Sequence, residues 1–462
     1  MPRAGASPAL GACFSTTLDT HIWPITASVN QAGHLEIGGC DTLALAREHG
    51  TPLYLLDEAT FRASCRAYRE ALGRHYPGAF AIHYASKSLL NTAVAQLVKS
   101  EGLSLDVVSG GELWVALRAG FAAERIHLHG NAKPRHELEQ ALAAGVGNIV
   151  VDTLDELRLL AELTAGRTGQ PQPLLIRVAP GIAAHTHAHI QTGQADSKFG
   201  LPLVLLGEAA VILRGAPGLR LRGLHCHLGS QLFETDIYQR AVDVLLDAAA
   251  ALRDQQGIVV DEISPGGGLG VPYTPDQQPP DLDAFVRTLS AAMAAGCAAR
   301  GLPLPTLVIE PGRSIVARAG VALYEVVARK PLAGGPGRAS AFVHVDGGMA
   351  DNIRPALYEA VYTAALASRP TAPAEEQVHV AGRYCESGDV LLHDAHLPHA
   401  APGDLLALAT AGAYTLSMAS NYNLVPRPAL LLVGDGRAKI IQRRETYEDL
   451  ARRDAGIEGE NQ

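Results

Sequence analysis

Between residues 79 and 312 one pattern recurs eight times: a short apolar or β-branched run ends in small or polar residues, and a stretch of helical period follows. The runs are "AFAIHYASK" (79–87), "SLDVVS" (104–109), "IHLHG" (126–130), "NIVVD" (148–152), "PLLIRVAPG" (173–181), "LRGLHCHLGS" (221–230), "DEISPGGG" (261–268) and "TLVIEPG" (306–312). Between them Leu97 recurs with Val94 and Val98, Leu113 with Leu117, Leu138 with Ala141 and Leu142, and Leu157 with Leu160, the spacing of a single buried helix face. Eight strand–helix units over about 230 residues are what a (β/α)8 barrel requires. A doubly wound open sheet is the rival arrangement.

After residue 320 the period changes. "ALYEVVARK", "AFVHVDGG", "QVHVAGRYC", "DVLLHDAHL", "DLLALATAGAY" and "ALLLVGDGRAKIIQRR" are short β-type runs separated by Gly, Pro and Asp. They predict a mostly antiparallel β-domain, with "LAGGPGRAS" (332–340) as a flexible loop. Near the amino terminus "HLEIGG" and "TPLYLLD" are strand-like and are expected to join it. The expected fold is therefore α/β: a TIM-type barrel (56–312), a C-terminal β-domain (313–462), and an N-terminal segment (1–55) packed with the latter.

Composition narrows the function. A net charge of −9 with no lysine–arginine block argues against a nucleic-acid surface. Cysteines 13, 40, 65, 226, 297 and 385 form no C-x-x-C pair, the pattern of a reducing cytoplasm. No uninterrupted apolar run reaches the 18 or so residues of a membrane span, and "MPRAGASPALGACF" lacks the apolar core of a signal peptide.

In a barrel, chemistry gathers at the C-terminal strand ends. Lys87 closes the first run. His225 and His227 alternate on the sixth, followed by Gly229 and Ser230; Gly266, Gly267 and Gly268 end the seventh; Glu310 and Arg313 end the eighth. Each has an ordinary explanation alone. A lysine at a strand end usually reaches water, and a glycine run is usually a turn. "HCHLGS" and "AHTHAH" (184–189) resemble metal ligands without a complete set. Glu310 is either an arginine-paired structural carboxylate or the partner of a ring nitrogen. Together they suit one cofactor, pyridoxal 5'-phosphate: a half-buried nucleophilic amine for its aldehyde, a glycine loop with a serine for its phosphate, a histidine against its ring and a carboxylate for its pyridinium.

The order of motifs also carries a resemblance. "YASK", "DVVSGGEL", "HGNAK", "AHTHAHIQTGQADSKFG", "HCHLGSQ", "GGGLG", "EPGR", "DGGMADNIRPALY", "CESGD" and "GAYTLSMASNYN" follow one another from about residue 40 to about residue 450. This series resembles the diaminopimelate decarboxylases, pyridoxal-phosphate enzymes with an alanine-racemase-type barrel. The resemblance implies that Lys87 carries the cofactor and that His227 stacks on its ring. It implies that Ser230, the loop around Gly268, and Pro311, Gly312 and Arg313 hold the phosphate, that Glu310 faces the pyridine nitrogen, and that Tyr414 touches cofactor and substrate. Arg313, Arg354 and Tyr358 would bind substrate carboxylate, Glu386 the distal amino group, and Cys385 would donate a proton. It further implies a homodimer in which Cys385 and Glu386 come from the opposite subunit, and conversion of meso-2,6-diaminoheptanedioate to L-lysine and CO2.

Two departures stand out: Arg383 where many relatives have proline, and Ser88 where alanine is common. They leave room for an altered substrate. Rival functions are decarboxylation of carboxynorspermidine, ornithine or arginine, a racemase on the same barrel, a non-catalytic pyridoxal-phosphate carrier, and a metal-dependent barrel hydrolase. "IRPALY" counts against the diamine-forming enzymes, whose substrates lack a second carboxylate.

Overall fold

The computed structural model describes residues 18–182, 197–333 and 337–457. The "AHTHAH" stretch and the middle of the 332–340 loop lie outside these residues.

Three short strands, Ser28–Val29, Leu35–Ile37 and Cys40–Asp41, come first and form a small antiparallel sheet of their own, so "HLEIGG" is a strand but does not join the β-domain sheet. Strand β1 (Leu53–Asp57) follows, and a helix, Glu58–His75, starts where the Asp57 carboxylate accepts from the Thr60 N–H at 2.9 Å. Eight strands then follow in order: β2 (Phe80–Ala85), β3 (Ser104–Val107), β4 (Ile126–Leu128), β5 (Asn148–Val151), β6 (Gln172–Ala179), β7 (Leu219–His225), β8 (Glu262–Ser264) and β9 (Thr306–Ile309). Each pairs in parallel with the next. The ring closes where β9 returns to β2, with Leu307 opposite Phe80 and Ile309 opposite Ile82. That closure excludes the open sheet.

Every expected run holds a strand, though β6 and β7 begin before theirs, at Gln172 and Leu219, and the strands stop short of the run ends. In "DEISPGGG" only Glu262–Ser264 is strand, because Pro265 has no N–H to donate and Gly266 takes a left-handed φ of +80°. Such early stops leave several residues per strand to shape a site.

The barrel interior is more polar than the branched-apolar filling usual for this fold. The His83 and His127 rings lie 3.8 Å apart between centroids. His83 Nδ1 is 3.1 Å from Asp106 Oδ1, and the Asn148 amide donates to His127 Nε2 at 2.7 Å. Burial first, then the neighbouring His83, pushes His127 well below its ordinary value, so two adjacent imidazoles tilted by 43° coexist without repulsion.

In the helical layer around the ring of strands, the helix Leu282–Arg300 is long and apolar enough to span a membrane by length and composition alone. Its Phe285, Val286, Leu289, Met293 and Cys297 are buried in the barrel's hydrophobic core.

The second sheet begins with β10 (Gly320–Pro331) and β11 (Ala341–Val345), then β12 (Ala364–Leu366), β13 (Glu376–Ala381), β14 (Val390–Leu397) and β15 (Leu405–Leu408). β16 (Ala429–Gly434) and β17 (Arg437–Gln442) form a closing hairpin. Most pairings are antiparallel; β16 with β1 and β11 with β13 are parallel. β1 lies inside this sheet, between β10 and β16. The amino-terminal segment thus supplies an interior strand, as the "TPLYLLD" pattern leads one to expect.

Candidate active site

The strand ends and the edge of the β-domain enclose a cavity of about 420 Å³. β2 gives way to one 3-10 turn, Ser86–Ser88, and the turn presents Lys87 to the cavity. The buried Ser88 hydroxyl lies 2.7 Å from the Ala85 carbonyl it donates to, while the Ser88 carbonyl accepts from the Tyr414 N–H at 2.9 Å. Ser88 therefore stabilises the turn rather than reshaping the pocket. Half-burial is the expectation for Lys87, but the residue is exposed, because the turn carries it beyond the strand into a wide opening.

Glu310 occupies the floor. The sequence leaves it between an arginine partner and a ring-nitrogen partner, and the geometry removes the first. Its oxygens accept from Ser264 Oγ–H at 2.7 Å and lie 3.0 Å from His225 Nε2, with His129 Nε2 at 3.9 Å. Arg313 instead donates to Ser230 Oγ at 3.0 Å and to the Tyr273 hydroxyl at 2.7 Å. Burial works against a charge on Glu310, but the His225 and His129 rings and the His225 hydrogen bond outweigh it and hold the carboxyl at about 2. Burial pushes His225 below its ordinary value. The pair we assign is a carboxylate accepting from the Nε2–H of a neutral imidazole.

His227, Ser230, Gly268 and Gly312 line the same cavity as Lys87 and Glu310. The glycine loop has a steric cause: a Cβ on Gly267 would lie 1.9 Å from the Glu310 carbonyl oxygen, and one on Gly268 2.2 Å from that of Gly229. Backbones of three strand ends meet there, and side chains cannot intrude. Burial, then the charge of Lys87, holds His227 well below its ordinary value, leaving a neutral flat ring.

The β-domain supplies the opposite wall. Arg354 and Tyr358 stand on the short helix Arg354–Tyr358 and line the cavity with Arg313 and Tyr414. Arg354 is buried, donates to the Tyr362 hydroxyl at 2.5 Å, and lies over the Tyr273 ring at 4.5 Å. Burial disfavours ionised Tyr273, yet the Arg313 and Arg354 charges win and its hydroxyl is lowered. A strongly cationic corner results.

Three residues of the expected set do not line the cavity. Pro311 is buried behind it, its carbonyl accepting from the Ala85 N–H at 3.1 Å. Cys385 and Glu386 are exposed on a loop after β13 and reach no part of their own chain's cavity. Cys385 is the one exposed cysteine among those described; Cys40, Cys65, Cys226 and Cys297 are buried. Residues that motif reasoning passed over include His129, Asp106, Asn131 and Arg177, all lining the site. Their signal was present: a charge or imidazole at the carboxyl end of an otherwise apolar run, as in "SLDVVS" and "LLIRVAPG".

The groups present suit pyridoxal phosphate. An amine faces the opening, a buried ionised carboxylate waits on the floor, and a guanidinium, a serine hydroxyl and a side-chain-free loop adjoin one another at one side.

A model of the pyridoxal-binding domain of pyridoxal-dependent decarboxylases matches residues 58–317. The chain is 44% identical to the diaminopimelate decarboxylase of Bacillus subtilis over 431 residues, covering 93% of this chain and 97% of that one. It is 41% identical to the diaminopimelate decarboxylase of Synechocystis over 462 residues, covering 98% and 97%. Among solved structures, the diaminopimelate decarboxylase of M. jannaschii in complex with L-lysine superposes with a TM-score of 0.85 at 33% identity, over 93% of this chain and 98% of that one. Fold, cavity and likeness agree: the chain belongs to the diaminopimelate decarboxylases, within the pyridoxal-dependent decarboxylases.

Proposed function

We propose that this protein, with pyridoxal 5'-phosphate held at Lys87, decarboxylates meso-2,6-diaminoheptanedioate at its D centre to give L-lysine and CO2. The observation that carries the reading is one cavity in which Lys87 and the ionised Glu310 share space with a pair of guanidiniums, Arg313 and Arg354. Relatives named for this reaction, and neighbours solved with L-lysine, support it.

When bound, pyridoxal phosphate supplies a protonated pyridine ring that takes up the electron pair left by departing CO2. Lys87 holds the cofactor through its amine and yields that position to the substrate's amino group. Glu310, kept ionised by His225 and Ser264, holds the proton on the facing ring nitrogen. His227 lies against the ring. Ser230, the Gly268 loop and the Gly312–Arg313 segment hold the phosphate. Arg354, with Arg313 and Tyr358, grips the distal carboxylate, the group a diamine-forming substrate lacks. Tyr414 contacts cofactor and substrate.

The site is completed by a second copy. Cys385 of the partner subunit returns a proton to the carbon that lost CO2, and Glu386 of the partner subunit holds the distal ammonium. In support, this pair is exposed, adjacent, and remote from its own cavity. The homodimer is cytoplasmic, in keeping with cysteines that form no disulfide among the described residues.

The test is product analysis with the pyridoxal-loaded protein. Equimolar L-lysine and CO2 are expected from meso-2,6-diaminoheptanedioate, and little turnover of ornithine, arginine or carboxynorspermidine. Faster release of CO2 and the matching amine from any of those three overturns the substrate. Glu310→Gln should keep the cofactor bound but slow decarboxylation by about a hundredfold, ~2.7 kcal/mol, because an amide cannot hold a proton on the pyridine; wild-type rates in this variant would reduce Glu310 to a structural acceptor. Arg354→Met should raise KM roughly ten- to a hundredfold, the loss of a charged hydrogen-bonding clamp. Steady-state kinetics against substrate concentration checks it.

A further inference from the structure

Asp389 closes the "CESGD" stretch and is 3% exposed, yet it touches neither the cavity nor any arginine or lysine at hydrogen-bonding distance among the described residues. Its two oxygens are divided between two loops. Oδ1 accepts the Met349 N–H at 2.7 Å, and Oδ2 accepts the Tyr384 N–H at 2.8 Å. One further bond joins the loops directly, from the Arg383 N–H to the Gly347 carbonyl at 3.1 Å.

The two loops lead to different places. From Met349 the chain turns tightly, with the Asn352 N–H on the Gly348 carbonyl at 2.9 Å, and enters the helix that carries Arg354 and Tyr358 into this chain's own cavity. From Tyr384 it runs straight to Cys385 and Glu386, exposed and outside that cavity. Glycine on both loops makes room for the carboxylate: a Cβ on Gly348 would lie 2.4 Å from Oδ1, and one on Gly382 2.3 Å from Oδ2. Both loops are thus shaped around this single side chain.

We infer that Asp389 is a positioning residue shared by two active sites, setting the carboxylate-binding wall of its own site and the Cys385–Glu386 tip offered to the partner's. The inference rests on the composite-site reading above. It names no new contact to substrate; the carboxylate acts through Met349 and Tyr384. Replacing Asp389 with Asn leaves one oxygen acceptor and turns a donor toward the other N–H, so the bridge that fixes the two loops against each other is lost and both are freed.

Hybrid dimers, assembled from differently tagged chains and purified, separate the two roles. The first pairs an Asp389→Asn chain with a Lys87→Ala chain. Its single competent site uses the Arg354 wall of the Asp389→Asn chain and the tip of a chain with Asp389 intact. The second pairs a wild-type chain with a chain bearing both substitutions, so the competent site has an intact wall and an altered tip. The reference is wild type paired with Lys87→Ala. We expect KM for meso-2,6-diaminoheptanedioate to rise about tenfold or more in the first hybrid with kcat kept. In the second, kcat should fall by about the same factor through Cys385, whereas KM moves only as far as Glu386 leaves the distal ammonium.

Reference kinetics in both hybrids, or the same change in both, overturns the inference; the latter is what general destabilisation produces. If Asp389→Asn yields no folded dimer, Gly382→Ala takes its place. Its Cβ would lie 2.3 Å from Oδ2 and 2.4 Å from Oδ1, displacing the whole carboxylate, so the same two defects are expected: a rise in KM where the altered chain supplies the wall and a fall in kcat where it supplies the tip. Reference kinetics in both hybrids, or the same change in both, again overturns the inference. Failure of the composite site itself shows separately, as no activity on mixing Lys87→Ala with Cys385→Ala chains.

Discussion

Lys87→Ala is expected to abolish turnover together with the visible absorbance of the lysine-bound cofactor, while the protein stays folded. Removing covalent catalysis should lower kcat by about four orders of magnitude or more, ~5.5 kcal/mol. The fold should survive because Lys87 is exposed and its turn is fastened by other groups: the Ser88 hydroxyl on the Ala85 carbonyl, and the Tyr414 N–H and Ser417 hydroxyl on the Ser88 carbonyl. Circular dichroism and a thermal melt of cofactor-free wild type and variant should therefore coincide. Near wild-type turnover in a variant shown to be homogeneous would remove Lys87 from the mechanism.

Mixing Lys87→Ala with Cys385→Ala, each inactive alone, is expected to restore activity. A heterodimer holds one site with Lys87 from one chain and Cys385 from the other. Random exchange of equal amounts makes about half the dimers mixed, each with one good site of two, so recovery approaches about a quarter of wild type. Cys385 is suited to this role by position: its N–H donates to Asn423 Oδ1 at 2.9 Å, which holds the loop while the side chain stays exposed. An absence of recovery, after subunit exchange is demonstrated by mass, would place both groups in one subunit or dismiss Cys385 from catalysis.

Much of this was legible in the residues themselves. Eight apolar runs ending in small or polar residues dictate parallel strands and locate the site, since period and strand-end chemistry are both local. Lys87, Ser230, Gly268, Glu310 and Arg313 were found that way, and they share one cavity. Arg354, Tyr358 and Tyr414 lie in the β-domain, and no local pattern says that their loops fold over the barrel mouth; the family likeness supplied them. Cys385 and Glu386 were legible only by that likeness, since an exposed loop has no partner within its own chain to reveal its purpose. His83, Asp106 and His127 were not anticipated at all. In a strand pattern a polar residue reads as solvent-facing, and only closure of the ring turns that face inward, where His83 Nδ1 finds Asp106 at 3.1 Å. The partner of Glu310 was missed for the same reason: His225 sits 85 positions away in sequence.

The interior place of β1 bears on how the molecule is made. Residues 53–57 leave the ribosome more than 260 residues before their first neighbour in the sheet, Gly320–Leu323, and further still before the second, Ala429–Val433. The barrel can close while synthesis continues, whereas the β-domain must hold an apolar strand with both edges unpaired until Gly320–Leu323 emerge and with one edge unpaired until Ala429–Val433 do. Contacts of such long range form slowly, and an open edge invites pairing with other chains meanwhile. Nascent chains truncated before residue 429 should thus bind holdase chaperones and aggregate, and yield in the cell should respond more to translation speed and chaperone supply than to the stability of the finished enzyme.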